Sequence, residues 1–181
     1  MESEEQLISA VKGGERAALR RLYDRYASCV MATGLRYVAD QEAVRDVVQD
    51  SFVRILTGIG HFEYRGEGSL KSWVTRVAAN RAIDYVREHQ ALTFVSELPV
   101  DIADDEPPDV GAISPEVLTA LIGRLPTGYR LVLNLHVFEH LSHREIAQRL
   151  GIKEDSSASQ YARAKTLLGK MMKEYLKRQN R

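Results

Sequence analysis

Through the first ninety residues the apolar positions recur with the period of an α-helix, and no strand-period run interrupts them. Leu19, Leu22, Tyr23, Tyr26, Ala27, Val30 and Met31 fall at i, i+3, i+4 and i+7, which predicts one amphipathic helix with these side chains on its inner stripe. A second helix is predicted from about Asp40 through Leu56, with Ala43, Val44, Val47, Val48, Phe52, Ile55 and Leu56 inward, stopping near Gly58 and Gly60. The stretch from Gly60 to Gly68 is a glycine-rich loop that carries Phe62, Tyr64 and Arg65. Ser69 is expected to cap the next helix, since its hydroxyl can accept from the open amides of a first turn. That helix is expected to bury Leu70, Trp73, Val74, Val77 and Ala78 and to run to about Glu88.

The pattern then breaks. Residues 91–115 hold four of the five prolines (Pro99, Pro107, Pro108 and Pro115) and cannot bury enough apolar surface to fold alone, which makes them a linker. Helical spacing resumes over Glu116–Leu125, which Pro126 ends, over Gly128–His140, over Ser142–Leu150, and over a last helix from about Asp155 to Lys177. The fold class is therefore all-α: two small helical domains, residues 1–92 and 115–181, joined by an acidic flexible linker, residues 93–114.

The run from Leu141 to Ile152 reads as the first half of a helix-turn-helix. Ser142 and Glu145 have the spacing of a capping box. Ile146, Ala147 and Leu150 form a buried face, and Ala147 is small where the second helix crosses. Gly151 supplies the left-handed turn that other residues resist, and Ile152 plugs the gap between the helices. Asp155 or Ser156 is expected to cap the second helix, which presents Ser156, Ser157, Ser159, Gln160, Arg163 and Lys165. The N-terminal part of such a helix enters the major groove of DNA.

Charge strengthens that reading. The 181 residues carry 25 basic and 25 acidic side chains. Residues 1–90 hold 13 of each, residues 91–115 hold 6 acidic and none basic, and residues 116–181 hold 12 basic against 6 acidic. A basic C-terminal third is the footprint of a nucleic-acid-binding module. The acidic middle repels DNA, or is a solvated spacer.

Other chemistry is excluded or thin. No apolar run approaches the roughly 18 residues of a membrane span, and the acidic start, Met1-Glu2-Ser3-Glu4-Glu5, lacks the order of a secretory signal. The single cysteine, Cys29, cannot form an internal disulfide and reads as a buried thiol. These features favour the cytoplasm without membrane insertion. His136, His140 and His143 stand four and three apart, but the acid of an H-E-x-x-H site is missing and a helix break intervenes, so no metal site is expected. No phosphate loop, nucleophile elbow or paired-cysteine motif occurs. The chain is not expected to be an enzyme or to use a cofactor or a small-molecule substrate.

With both blocks in view, the chain resembles the sigma-70 family of bacterial sigma factors, in its extracytoplasmic-function group. The run from Asp40 to Phe52 is similar to the family's "A-E-D-x-x-Q-E-x-F" helix, and Gly68 to Arg87 resembles "F-x-x-W-L-x-x-I-A-x-N-x-x-x-D-x-x-R". Leu125 to Arg130 resembles the "L-P-x-x-x-R" opening of the second block.

This resemblance implies a factor that binds core RNA polymerase and directs promoter-specific initiation. It implies docking of the Asp40–Phe52 helix on the coiled coil of the polymerase β′ subunit, through Arg45, Gln49 and Asp50 on an open polar face. It implies reading of the −10 element by the glycine-rich loop and the helix after it. Phe62 or Tyr64 would stack on an extruded base, Arg65 would contact phosphate, and Arg76, Asn80 and Arg87 would fall near one helix face. Trp73 is expected in the core. Opening about ten stacked steps at roughly 1.4 kcal/mol each costs on the order of 14 kcal/mol, whereas capture of one base returns roughly 1–3 kcal/mol. The isolated chain is therefore expected to leave duplex DNA closed.

The helix-turn-helix would read the −35 element through Arg144, Ser156, Ser159, Gln160, Arg163 and Lys165. Many relatives have "G-T-V-K-S-R" there; this chain has Asp155-Ser156-Ser157-Ala158-Ser159-Gln160, with fewer phosphate anchors. The acidic linker would lie near the template and RNA path. The implied partners are promoter DNA, the polymerase core through its β′ coiled coil and β flap, and an anti-sigma factor that holds the domains closed. The rival reading is a stand-alone helix-turn-helix regulator that binds a duplex operator without polymerase.

Overall fold

The computed structural model describes residues 2–89 and 110–179, and every regular element among them is a helix. The chain divides at residues 88 and 89 into two compact units. All six acidic side chains of the expected linker lie at residues 97–109, outside the described residues.

The first unit contains α1 (Glu4–Lys12), α2 (Arg16–Tyr37), α3 (Gln41–Gly58) and α4 (Ser69–His89). α1 begins with a reciprocal cap: the Ser3 hydroxyl accepts from the Gln6 amide at 3.1 Å, and the Gln6 side-chain oxygen accepts from the Ser3 amide at 3.0 Å. The Asp40 carboxylate starts α3 by accepting from the Glu42 amide at 2.9 Å. Leu7, Leu22, Val30, Val44, Ile55, Leu70 and Val74 are fully enclosed at the centre.

The buried stripes are rotated from those the spacing predicts. On α2 the core runs through Ala18, Leu22, Tyr26 and Val30, while Leu19 and Tyr23 are 37 % and 48 % exposed. One residue along a helix is 100° around it, so a stripe displaced by one position turns these side chains outward. On α3, Leu56 is likewise exposed while its neighbour Ile55 is buried. On α4, Trp73 and Val77 are only half-buried. Cys29 is also half-buried, its Sγ 3.3 Å from the Thr75 hydroxyl.

One charged side chain ties the unit together. Arg81 of α4 has only 11 % of its side chain exposed, and its Nε donates to Asp50 of α3 at 2.9 Å. Its Nη1 reaches Glu88 at 3.4 Å. Burial opposes the charge, but the two carboxylates outweigh it and raise the affinity of Arg81 for its proton.

The second unit contains α5 (Pro115–Gly123), α6 (Thr127–Val137), α7 (His143–Leu150) and α8 (Glu154–Gln179). Ser114 caps α5 by accepting from the Val117 amide at 3.4 Å, and Pro115 takes the first helical position, where no amide is missed. Ile113 is buried with Leu121 and Met172, so the packed part of this unit reaches back to Ile113. Met171, Tyr175 and Leu176 pack against the same cluster. The main core gathers Ile122, Leu125, Tyr129, Leu133 and Ala164. Arg130 is buried, and its Nη1 donates to the carbonyls of Gly123 at 2.7 Å and Leu125 at 3.3 Å, satisfying the open end of α5.

α6 ends at Val137, short of the expected His140. His140 takes a left-handed conformation (φ 55°), and the Leu141 amide folds back onto the Leu135 carbonyl at 3.1 Å. α8 starts at Glu154, so Asp155 lies inside its first turn rather than before it.

Candidate nucleic-acid and polymerase interfaces

The loop from Phe62 to Gly68 joins the short 3₁₀ turn Ile59–His61 to α4. The Phe62 ring lies 5.0 Å from the ring of Trp73, centroid to centroid. Together with Arg65, Ser69, Ser72 and Arg76 they line an open pocket of about 390 Å³. Two aromatic rings and two guanidinium groups in one lining suit an unstacked base with its phosphates. Arg65 pairs with Glu63 at 3.4 Å, but both side chains are 80 % exposed, so the pair is weak.

The expected residues divide here. Phe62, Arg65 and Arg76 come together in the pocket. Tyr64 is turned away, with its hydroxyl donating to Glu67 at 3.5 Å. Burial and the nearby carboxylates of Glu67, Glu5 and Glu4 raise its phenol above the ordinary value. Asn80, half-buried, and Arg87, exposed, continue the Arg76 face of α4 beyond the pocket. Trp73, expected in the core, is a pocket wall. No spacing rule separates those two roles, because its position on the apolar stripe of α4 serves both.

Ser69 does not cap α4. Its hydroxyl accepts from the Arg65 amide at 3.2 Å instead. The cap is Glu4, which is 2 % exposed. Glu4 Oε2 accepts from the amides of Gly68 at 2.9 Å and Leu70 at 3.0 Å, and Oε1 accepts from the Lys71 amide at 3.2 Å. The Tyr26 hydroxyl donates to Oε1 at 2.8 Å. Burial pushes this carboxyl up, but the hydrogen bonds from Tyr26, Leu70, Lys71 and Gly68 outweigh it and hold it below the ordinary value of 4.5. The same burial, with the bond to Glu4, raises the Tyr26 phenol well above its usual range.

A second surface of this unit is apolar and open. Tyr23 and Met31 of α2 and Val48, Phe52, Val53 and Leu56 of α3 line a groove of about 430 Å³, with Arg45 and Gln49 at its polar side. The Tyr23 and Phe52 rings stand 4.6 Å apart. Val53 is 56 % exposed. Asp50 holds Arg81 through Oδ2 while 51 % of its side chain stays exposed. The signal that sequence reasoning passed over is an apolar residue, Val53, on the expected polar face.

In the second unit the helix-turn-helix has its expected local chemistry. Ser142 Oγ accepts from the Glu145 amide at 3.3 Å, and Glu145 Oε2 accepts from the Ser142 amide at 2.8 Å. These bonds hold Glu145 below the ordinary carboxylate value. Ile146, Ala147 and Leu150 are buried, and Gly151 is left-handed (φ 69°, ψ 36°). His136 of α6 and His143 of α7 stack at 4.6 Å, and His136 meets Tyr161 of α8 at 4.5 Å, so three helices share one aromatic contact. His143 Nδ1 lies 3.0 Å from the Ser157 hydroxyl. Burial and neighbouring His136 lower His143 below its ordinary value, against Glu154.

On α8, Ser156, Ser159 and Arg163 fall on one face by helical period. Arg144 is exposed on α7, and Lys165 is exposed with its Nζ 4.9 Å over the Tyr161 ring. Gln160 is a correction: it is 4 % exposed and cannot reach a base. Ser157, Gln160 and Ala164 form the inward stripe of α8 against α6 and α7, which turns both Ser157 and Gln160 away from solvent.

These features match known proteins. Residues 22–92 match Sigma-70 region 2, and residues 116–168 match Sigma-70 region 4. The RNA polymerase sigma-H factor of Pseudomonas aeruginosa is 25 % identical, with 97 % of each chain covered. The ECF RNA polymerase sigma factor SigM of Bacillus subtilis is 28 % identical over 81 % of this chain and 90 % of its own. Among solved structures, that of CnrH in complex with the cytosolic domain of CnrY is 21 % identical, covers 93 % of this chain and 96 % of its own, and superposes with a TM-score of 0.50, a likeness of fold. A stand-alone regulator has no need of a region 2, and the match over residues 22–92 overturns that alternative.

Proposed function

The chain belongs to the sigma-70 family, in its extracytoplasmic-function group, and we propose that its two units divide promoter recognition between them. It acts as a sigma factor that joins core RNA polymerase and directs promoter-specific initiation. Residues 1–92 hold the polymerase and read the −10 element, residues 93–114 connect, and residues 115–181 read the −35 element. The reading rests above all on the pocket in which Phe62, Trp73, Arg65 and Arg76 converge, because a single extruded base is the ligand that such a pocket suits.

The apolar groove between α2 and α3 takes the coiled coil of the polymerase β′ subunit. An open groove lined by Tyr23, Phe52 and Val53 together with polar Arg45 and Gln49 has the composition of a helix-binding surface. Ser156, Ser159 and Arg163 face the major groove of the −35 element, with Arg144 and Lys165 as phosphate contacts. The second unit also meets the β flap. Regulation comes from an anti-sigma partner, and the site of action is the bacterial cytoplasm. All of these roles are binding roles and need no catalytic side chain.

The test is the dissociation constant for bacterial core polymerase, measured for the wild-type chain and for Val53→Glu and Arg45→Glu. Asp50→Arg is a poor probe, since it puts a second positive charge where Arg81 now has its shortest ion pair. Val53→Glu is expected to weaken binding by tenfold or more, since a polar group forced into an apolar contact costs roughly 1–3 kcal/mol. Unchanged affinity in both variants, with unchanged circular dichroism, removes the groove from the polymerase interface.

A further inference from the structure

Both walls of the base pocket depend on one element that lies outside the region 2 match, which begins at residue 22. Resting on the reading of that pocket as the −10 site, we infer that α1 is a clasp that sets its shape, with Glu4 and Lys12 as positioning residues for base recognition. Lys12 Nζ donates to the Phe62 carbonyl at 2.8 Å, at the start of the loop. Glu4 takes the Gly68 amide at the end of the loop and the Leu70 and Lys71 amides of α4 with the same carboxylate. Phe62 and Arg65 stand on the loop, while Trp73 and Arg76 stand on α4. A single buried carboxylate therefore fixes the loop wall relative to the helix wall.

The clasp is rigid for reasons on both sides of it. Glu4 and Lys12 are eight residues apart on one helix, about 12 Å at 1.5 Å per residue. That helix is anchored by buried Leu7, Ile8 and Val11 and packs on α2. Arg25 of α2 adds a third grip: its Nη2 holds Glu67 of the loop at 3.2 Å, and its Nη1 holds the Glu2 carbonyl at 3.0 Å. Within the loop, Gly66 and Gly68 take positive φ values of 107° and 89°, so the backbone between the grips is of the kind that surrounding contacts must hold in place. A binding constellation loosened by a fraction of an ångström loses discrimination before it loses its fold.

Neither Glu4 nor Lys12 lines the pocket, so their effect must pass through Phe62 and Gly68. The experiment uses holoenzyme assembled from core polymerase and the full chain, on a promoter selected with the wild-type holoenzyme. The readout is the ratio of affinities for the selected −10 single strand and for strands changed at one base. Core affinity, −35 duplex binding and thermal unfolding are measured alongside. Glu4→Gln and Lys12→Met are each expected to lower the discrimination ratio by about fivefold to tenfold, the lower part of what one stacked base carries. Core affinity and −35 binding should stay within twofold, and Lys12→Arg should restore the ratio.

Lys12→Met decides the matter if Glu4→Gln proves unstable, because Lys12 is exposed and makes one bond to the loop. A wild-type ratio in Lys12→Met, or an equal loss of core affinity and discrimination, overturns the clasp while leaving the −10 reading intact. Absence of any base discrimination by the wild-type holoenzyme overturns both, and so separates the two failures.

Discussion

Each unit has one helix whose start is tied down beside its candidate interface, α4 in the first and α7 in the second, and the two are started by opposite means. α7 of the helix-turn-helix is capped by its own first residues, Ser142 and Glu145, three positions apart. α4 beside the Phe62–Trp73 pocket is capped by Glu4, whose bonds to Gly68, Leu70 and Lys71 span 64, 66 and 67 residues. A local cap forms as soon as its helix forms. A remote cap forms only when the whole unit has folded, and it carries the tertiary arrangement into the helix it starts. The first arrangement makes the leading helix of the helix-turn-helix stable in itself. The second couples a loop, a helix and the chain's first turns into one device.

The comparison breaks most readily at Glu4. Glu4→Ala leaves three amides and the Tyr26 hydroxyl without their ionised acceptor, and is expected to destabilise the first unit by about 3 kcal/mol. Trp73 is the only tryptophan, so its fluorescence in a urea titration of the full chain reports that unit. Hydrogen exchange over residues 115–179 should be unchanged. A loss shared equally by both units contradicts the separation of the two caps.

The matching change in the second unit is smaller. Ser142→Ala removes a solvent-accessible local cap, and an N-cap serine is worth about 1 kcal/mol. Faster exchange of the α7 amides, with an unshifted Trp73 transition, is the expected result. A shift in the Trp73 transition counts against it.

Acid should sharpen the contrast further, with the smallest effect of the three. Glu4 and Glu145 are both held below the ordinary carboxylate value of 4.5. A carboxyl whose folded value is depressed stabilises the fold above its unfolded value, and that contribution is lost as pH falls through the folded one. Both units therefore lose stability below about pH 4.5, through protonation of these groups. Glu4 is enclosed and Glu145 is exposed to screening solvent, so the first unit should lose more. Urea midpoints read by Trp73 at pH 7 and pH 4, against exchange of the α7 amides at the same two values, check the order. An earlier acid loss in α7 reverses it.

Much of the second unit was legible in the chain because its determinants are local. Ser142, Glu145, Ile146, Ala147, Leu150 and Gly151 all act within one turn of their neighbours, and each stands as the spacing predicts. Gln160 is the exception, and it is a tertiary one. Its polarity suggested a base contact, but α6 and α7 cover the stripe it shares with Ser157 and Ala164. In the first unit the periodicity placed the helices but misjudged their rotation. Leu19, Tyr23 and Leu56 each lie beside a buried neighbour, and which of two adjacent stripes becomes core depends on the helix that packs there. The groove follows from that choice. So does the pairing of Asp50 with Arg81, thirty-one residues away, which engages one oxygen of that half-exposed carboxylate.

Taken alone, the sequence determined the helical character of the described residues, the presence of a helix-turn-helix, and the resemblance that led to the family. These follow from spacing, capping chemistry and charge, which act over a few residues and are written in order along the chain. The tertiary structure decided that Trp73 and Phe62 form a pocket rather than a core, that Tyr64 turns toward Glu67, and that a glutamate four residues from the start caps a helix at residue 69. Those outcomes depend on which surfaces meet when distant segments pack, and no periodicity within a segment records its partner.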